Sequence, residues 1–288
     1  MANWLNTVFA PFDRAILEFF HILCENAGVL FTPIAELLAF IGDNGYFSFL
    51  LAFILLCFPK TRKCGACIIL AVGFGALFTN IAIKNIVARP RPYASEIEVF
   101  RQWWQTAGAH LESEFSFPSG HTTAAMAGMT ALCLAIGKNR KWLIAPSAIY
   151  VILMGASRNY LMVHYPTDVI AGIIVGALGA IIAFFVTNAI WKAIEKHAEH
   201  RFWKFVLTFD IRYIFKKKEK ARPCDFSYLR VGKGVCCSIG TAASCVGLSS
   251  FHSASICSAN GLRSPYPLRS TKCLPLKGKP LLPLQENK

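Results

Sequence analysis

Charged residues are scarce in this sequence: 16% of its 288 residues are Asp, Glu, Lys or Arg, and 55% are hydrophobic. Soluble domains usually carry about 25% charged residues, so this composition excludes an ordinary soluble domain and favours a chain that lies in a bilayer. Acidic residues are rarer than basic ones: the chain has 16 Asp and Glu against 30 Lys and Arg. The net charge of +14 alone would fit nucleic-acid binding, but its distribution along the chain argues against that partner.

We also expect no cleavable signal peptide, because the first residues lack a basic region followed by a continuous apolar stretch. We therefore expect the chain to insert through its own helices. Six apolar runs are present, at residues 15–41, 46–58, 66–87, 119–137, 142–155 and 167–191. Since a spanning helix needs about 20 mostly apolar residues, we predict an all-α, polytopic transmembrane helix bundle with six spans rather than five. The first run carries several charges, and residues 3–20 could instead form an amphipathic helix on the membrane surface.

Basic residues in the short connections predict the orientation of this bundle. Residues 60–63 join the second and third runs, residues 138–141 join the fourth and fifth, and a basic segment follows the sixth. The positive-inside rule places all three connections in the cytoplasm. The three polar motifs described below then share the opposite, extracytoplasmic face of a multi-pass protein of the cell membrane.

Composition divides the chain into three segments. We predict a membrane domain at residues 1–191 and a basic cytoplasmic juxtamembrane helix at residues 192–221. Aromatic residues among the lysines of this helix favour contact with anionic lipid headgroups over nucleic acid, and a solvated helix is an equal alternative. Residues 222–288 are rich in Ser, Cys, Gly and Pro and show no helical or strand periodicity. We predict a disordered cytoplasmic tail there, whose cysteines lack the paired CxxC spacing of a zinc site.

Three short motifs place charges at the edges of the apolar runs, where charge is costly to hold and is usually functional. The first, KNIVARPRP, contains Lys84 and Arg91. The third, SRNYLMVHYPTD at residues 157–168, contains Arg158. Converging cations of this kind indicate a phosphate or a cluster of carboxylates as their partner. For Arg89, in the same motif, we favour an interfacial side chain that extends to water.

The second motif, PSGH, begins the fourth run. Ser119 and Gly120 would offer a hydroxyl and backbone N–H groups to an anion at a helix N-terminus, although a simple serine cap is the default interpretation. His121 beside them can protonate a departing oxygen. In the third motif, His164 and Asp168 lie four residues apart. This spacing predicts that the carboxylate orients the imidazole and leaves its other nitrogen free to act as a nucleophile.

Together the three motifs resemble the signature of the type 2 phosphatidic acid phosphatase (PAP2) superfamily: KxxxxxxRP, PSGH and SRxxxxxHxxxD, with every signature position matched. The resemblance implies a membrane phosphatase that uses no metal and no cofactor. The sequence itself offers no carboxylate cluster suited to a metal ion. The resemblance also implies the role of each residue: Lys84, Arg91, Arg158, Ser119 and Gly120 bind the phosphate, His164 attacks phosphorus, His121 is the general acid and Asp168 orients His164.

The implied activity is that of a lipid phosphate or diphosphate phosphatase that forms a phosphohistidine at the extracytoplasmic membrane face. Undecaprenyl diphosphate, phosphatidylglycerol phosphate and phosphatidic acid are candidate substrates. A lipid phosphotransferase and a non-catalytic lipid-binding protein are alternatives. Vanadate-dependent haloperoxidases have a similar pocket but are soluble, so the apolar runs argue against that activity. The expected partners are the lipid substrate and membrane lipids, with no nucleic acid, and the oligomeric state stays open. Four glutamates in the loop at residues 93–117 would repel free anions or simply be solvated: Glu96, Glu98, Glu112 and Glu114.

Overall fold

The structure, a computed structural model, describes residues 1–212, 228–231 and 234–237. These residues fall in two units, one within residues 1–222 and one within residues 223–288, and each is described by itself. The described part of the first unit is helical, with irregular connections. Its α-helices are α1 (Ala2–Val8), α2 (Ala10–Gly42), α3 (Tyr46–Leu56), α4 (Arg62–Ala76), α5 (Lys84–Val87), α6 (Glu98–Thr106), α7 (Gly120–Ala135), α8 (Ile144–Tyr160), α9 (Pro166–Lys196) and α10 (Arg201–Thr208).

Each of the six apolar runs is helical, which confirms the predicted helical fold. Among the described residues, three helical segments are long and apolar enough to cross a membrane: Ala10–Leu56, Arg62–Ala94 and Pro166–Lys196. The count of six spans stays a prediction. Residues 3–20 form two helices rather than one, because the helix is interrupted at Phe9 between α1 and α2. Their placement on the membrane surface stays a prediction. Helix α2 is itself kinked at Ala27 (φ −142°).

Helices α4, α7 and α9 pack against one another through small residues. A Cβ atom added at Gly172 of α9 would lie 2.7 Å from the carbonyl oxygen of Ser119, and one at Gly176 would lie 2.5 Å from that of Thr123. Glycines four residues apart permit this close backbone approach between membrane helices. As a result the N-termini of α7 and α9 meet, and the Ser119 N–H donates to the Asp168 carbonyl at 3.0 Å.

Helix α4 continues into α5 through a π-helical turn, Leu77–Ile83. The turn places Lys84 at the first position of α5, where its side chain is buried. The helix ends at Val87, and the next residue, Ala88, adopts a left-handed conformation (φ 48°). Such π turns inside α-helices are rare and occur frequently at functional sites.

The opposite end of α4 contacts the segment that follows α9. The guanidinium of Arg62 donates to the carbonyl oxygens of Val206 and Phe209. The juxtamembrane helix predicted over residues 192–221 is interrupted: α9 continues to Lys196, and α10 begins at Arg201 after His200, whose side chain accepts from the Phe202 N–H. This side-chain cap provides the start signal that periodicity alone did not reveal.

In the second unit the structure describes one antiparallel pair, β1 (Tyr228–Val231) with β2 (Gly234–Cys237), in which Tyr228 pairs with Cys237 and Val231 with Gly234. The sequence had predicted no strand in this region. Alternation of side chains is hard to recognise in segments of four residues, which explains the difference. The rest of the predicted disordered tail, residues 222–288, lies outside the described residues.

Candidate active site

A cavity of about 330 Å³ lies where α5, α7 and the connection between α8 and α9 meet. Five of the eight predicted site residues line it: Lys84, Arg91, Gly120, His121 and His164. The other three, Ser119, Arg158 and Asp168, are buried behind its wall. The three motifs, far apart in the sequence, are thus brought together at one end of the bundle.

The three predicted phosphate-binding cations are paired with carboxylates of the loop at residues 93–117. Lys84 donates to Glu114, and Arg158 donates to Glu112. Glu112 also lies 3.6 Å from Arg91, measured from Oε2 to Nη2. These two loop glutamates were expected to be solvated or repulsive, and they instead occupy the positions of an anion beside the cations.

Arg158 has hydrogen-bonding capacity that this pairing does not use. Its side chain is 0% exposed. Its Nε and Nη1 atoms find no hydrogen-bond partner within the part of the chain that the structure describes. Since an unpaired buried donor is costly, these two atoms are available to a further acceptor, and the three oxygens of a phosphate would suit them.

His164 lies beside these cations, in the connection that leads to α9. Its Nε2 atom is 3.2 Å from Nη1 of Arg91. Burial first, and then the charges of Arg91 and Arg158, lower the pKa of His164 well below the usual histidine range. The ring is therefore neutral at pH 7, which is the form required of a nucleophile.

The other nitrogen of His164 faces Asp168, and the hydroxyl of Ser116 lies close to both groups. The distance from His164 Nδ1 to Asp168 Oδ2 is 3.6 Å, longer than a hydrogen bond. Ser116 donates to Asp168 Oδ2, and its Oγ is 3.5 Å from Nδ1. Ser116 was not predicted as a site residue, because it belongs to none of the three motifs.

His121 and its neighbours form the N-terminal end of α7. His121 is partly buried, and its Nε2 atom is 3.9 Å from Oδ1 of Asp43. The buried hydroxyl of Ser119 accepts from Thr122 at 3.0 Å. Gly120 lies near Lys84: a Cβ at this position would be 3.8 Å from the ammonium nitrogen. The helix N-terminus, a cation and a histidine therefore face the same cavity.

Arg89 differs most from its interpretation as an interfacial side chain. It is 1% exposed, and it donates to Asp13 Oδ2 at 2.8 Å and to Asp168 Oδ1 at 2.7 Å. Its guanidinium carbon lies 3.8 Å from the ring centroid of Tyr165. Two buried carboxylates and an aromatic face hold this cation inside the protein. Asp13 was not predicted as a site residue, and its one distinguishing mark in the sequence is a carboxylate at the edge of an apolar run.

Within residues 1–212, 228–231 and 234–237, no group of three or more His, Cys, Asp and Glu side chains could hold a metal ion. A reaction without metal stays a prediction, which requires a chelator experiment.

Comparison with known proteins supports the sequence resemblance. Residues 64–192 match the profile of the PAP2 superfamily. The chain is 38% identical over 106 residues to decaprenylphosphoryl-5-phosphoribose phosphatase of Mycolicibacterium smegmatis, covering 36% of this chain and 51% of that protein. It is 29% identical over 127 residues to undecaprenyl-diphosphatase of Sulfolobus acidocaldarius, covering 43% and 55%. The chain thus spans about half the length of these curated relatives. Among solved structures, Aquifex aeolicus LpxE has a TM-score of 0.44 and 28% identity, over 58% of this chain and 93% of that one.

Proposed function

The chain belongs to the PAP2 superfamily through residues 64–192, and on this premise we propose that it is a lipid phosphate phosphatase. It hydrolyses a lipid-borne monophosphate or diphosphate without a metal, through a phosphohistidine. The single observation that carries this proposal is the arrangement at the cavity: three buried cations converge beside a neutral histidine, and two loop carboxylates stand where the phosphate would bind.

The proposed reaction has two displacements at phosphorus. Nε2 of His164 attacks, a P–N bond forms, and the bond from phosphorus to the leaving oxygen breaks. His121 gives its proton to the leaving oxygen, which departs as the lipid alcohol or the lipid phosphate. Water then attacks the phosphohistidine, His121 takes its proton, and inorganic phosphate leaves with His164 restored.

The three cations perform the electrostatic part of the reaction. Lys84, Arg91 and Arg158 neutralise charge on the equatorial oxygens as it develops, in a site largely removed from water. The N-terminal end of α7 adds the Gly120 N–H and the Ser119 hydroxyl. Asp168 keeps the imidazole of His164 in one orientation, with Ser116 in contact with both side chains.

Two further observations support the membrane side and the kind of substrate. Arg62 and α10 mark a basic end of the bundle, and the cavity lies at the other end of the run from α4 to α5, so the positive-inside rule favours an extracytoplasmic site. Of the two relatives described above, one is named for a decaprenylphosphoryl sugar phosphate and the other for undecaprenyl diphosphate. The substrates to test are therefore polyprenyl-linked phosphates and diphosphates, together with phosphatidylglycerol phosphate and phosphatidic acid.

The proposal is tested with detergent-purified protein on a panel of these lipids, with and without chelator. We expect phosphate release that persists with chelator and is abolished by His164→Ala. With a substrate carrying radioactive terminal phosphate, the wild-type protein should acquire an alkali-stable, acid-labile label that His164→Ala lacks. Full activity of a folded His164→Ala variant would refute the mechanism, and transfer of the label to a lipid acceptor instead of water would identify a phosphotransferase.

A further inference from the structure

We propose that Asp13 and Arg89 are positioning residues of the reaction: together they fix Asp168, and through Asp168 they fix the imidazole of His164. This inference rests on the proposed function and adds two residues that occupy none of the signature positions of the three motifs. Asp13 also lies outside the segment that matches the family profile.

The first support is the set of four hydrogen bonds that the Arg89 side chain donates. Every nitrogen of its guanidinium has an acceptor at 2.7–2.8 Å: Asn6 for Nε, Thr167 and Asp168 for Nη1, and Asp13 for Nη2. The stacked ring of Tyr165 closes one face. A planar fork held by four acceptors has one orientation, so the position of Asp168 Oδ1 is fixed as well.

The second support is that Asp13 holds the helix that carries Asp168. Its Oδ1 accepts from the Thr167 backbone N–H at 3.0 Å, and its Oδ2 accepts from the Thr167 hydroxyl at 2.8 Å. One carboxylate of α2 thereby fixes both Arg89 and the first turn of α9. The second oxygen of Asp168 accepts from Ser116 and from the Tyr165 N–H, so Asp168 is fixed from both sides.

The third support is the charge of the group formed by Asp13, Arg89 and Asp168, which suits a histidine that becomes cationic during the reaction. When His164 forms a bond to phosphorus, its ring gains positive charge. Arg89 alone would neutralise Asp168. When Asp13 and Asp168 are both ionised, the two carboxylates and one guanidinium together carry a net charge of −1. Buried ion pairs usually contribute little to folding stability compared with apolar side chains of similar volume, so stability alone does not account for three buried charges here.

The test compares Asp13→Asn with the matched variant Glu18→Gln, an acid-to-amide change at an exposed position of the same helix. Each full-length variant is purified in detergent. Inorganic phosphate binding, measured by calorimetry, counts the folded sites, and rapid quenching measures the rate of histidine labelling. We expect Asp13→Asn to bind phosphate with unchanged affinity and to label about tenfold more slowly or worse, comparable to losing an outer hydrogen-bond partner of a metal-binding histidine. Glu18→Gln should label at the wild-type rate.

A merely structural role for Asp13 would lower the number of binding sites and leave the labelling rate per site unchanged, and that result would overturn the inference. If Asp13→Asn binds no phosphate, the variant Thr167→Val tests the inference instead. It removes the hydroxyl that contacts both Asp13 and Arg89, and it keeps all charges. Its labelling should slow severalfold, and a wild-type rate would overturn the inference. Absence of any histidine label in the wild-type protein would instead refute the proposed function itself.

Discussion

Removing the charge of Glu112 should make the site bind inorganic phosphate more tightly. Glu112 pairs with Arg158 and lies 3.6 Å from Arg91, so a phosphate must displace this carboxylate before it reaches both arginines. Glutamine keeps the shape of the side chain and loses the charge. The change therefore weakens the side chain that competes with phosphate for Arg158 and Arg91, and it leaves both arginines in place.

The magnitude follows from the contact that is lost. A hydrogen bond to a charged group contributes about 1.5–3 kcal/mol. Arg158 is fully buried, but the Glu112 side chain is 21% exposed, and water screens part of the interaction. We therefore take about 1–2 kcal/mol as the difference between the charged and the neutral side chain. Since the apparent dissociation constant scales inversely with the fraction of accessible sites, Glu112→Gln should lower it about five- to thirtyfold.

Calorimetric titration of the detergent-purified protein with inorganic phosphate, at one fixed ionic strength, measures this change. The matched control is Glu98→Gln, at the first residue of α6 in the connection between α5 and α7. The Glu98 side chain is 67% exposed, and the ion pair found for it is with Arg101 at 3.7 Å. The control removes the same charge away from the cavity, and its dissociation constant should stay near the wild-type value. Equal or weaker phosphate binding by Glu112→Gln would show that the carboxylate does not compete with phosphate.

Three further predictions concern other parts of the molecule. With a diphosphate lipid as substrate, His121→Ala should accumulate labelled His164. The lipid phosphate can leave with little protonation, so the first step continues, but the attacking water of the second step still needs a base. A label that decays at the wild-type rate would contradict the role of His121 as that base. Arg158→Lys should weaken phosphate binding about tenfold in the same titration, since the ammonium keeps the charge and loses the fork. Gly176→Val should lower the melting temperature in detergent, because its Cβ would lie 2.5 Å from the Thr123 carbonyl oxygen. Gly73→Val is the control, since a Cβ there meets no described atom within 4 Å.

The sequence predicted the helices and the motif residues of the site, because both depend on local patterns. Apolar runs of helical length form helices, and the motif residues lie at the ends of those runs. The pairing of Asp13 with Arg89 could not be predicted in this way. These residues are 76 positions apart, and no periodicity relates a carboxylate in one helix to a guanidinium in a distant turn.

The relation between His164 and Asp168 shows how a local rule can mislead. A spacing of four residues brings side chains together on a helix. Helix α9, however, begins at Pro166 with Tyr165 as its N-cap, so His164 lies outside the helix. Its Nδ1 atom is therefore 3.6 Å from the carboxylate. Glu112 and Glu114 were misjudged for a related reason: they belong to an irregular loop, where sequence alone gives no direction to a side chain.

The π-helical turn at Leu77–Ile83 makes the length of this segment matter as much as its composition. Each residue of an α-helix advances the chain by about 100° around the axis, and a π turn accommodates one residue more than an α turn. Deleting a single residue there would allow regular α-helix to form, but it would rotate Lys84 by about 100° relative to the face of α4 that packs in the core. A one-residue deletion in this apolar stretch would thus remove a cation from the cavity without changing any residue of the three motifs.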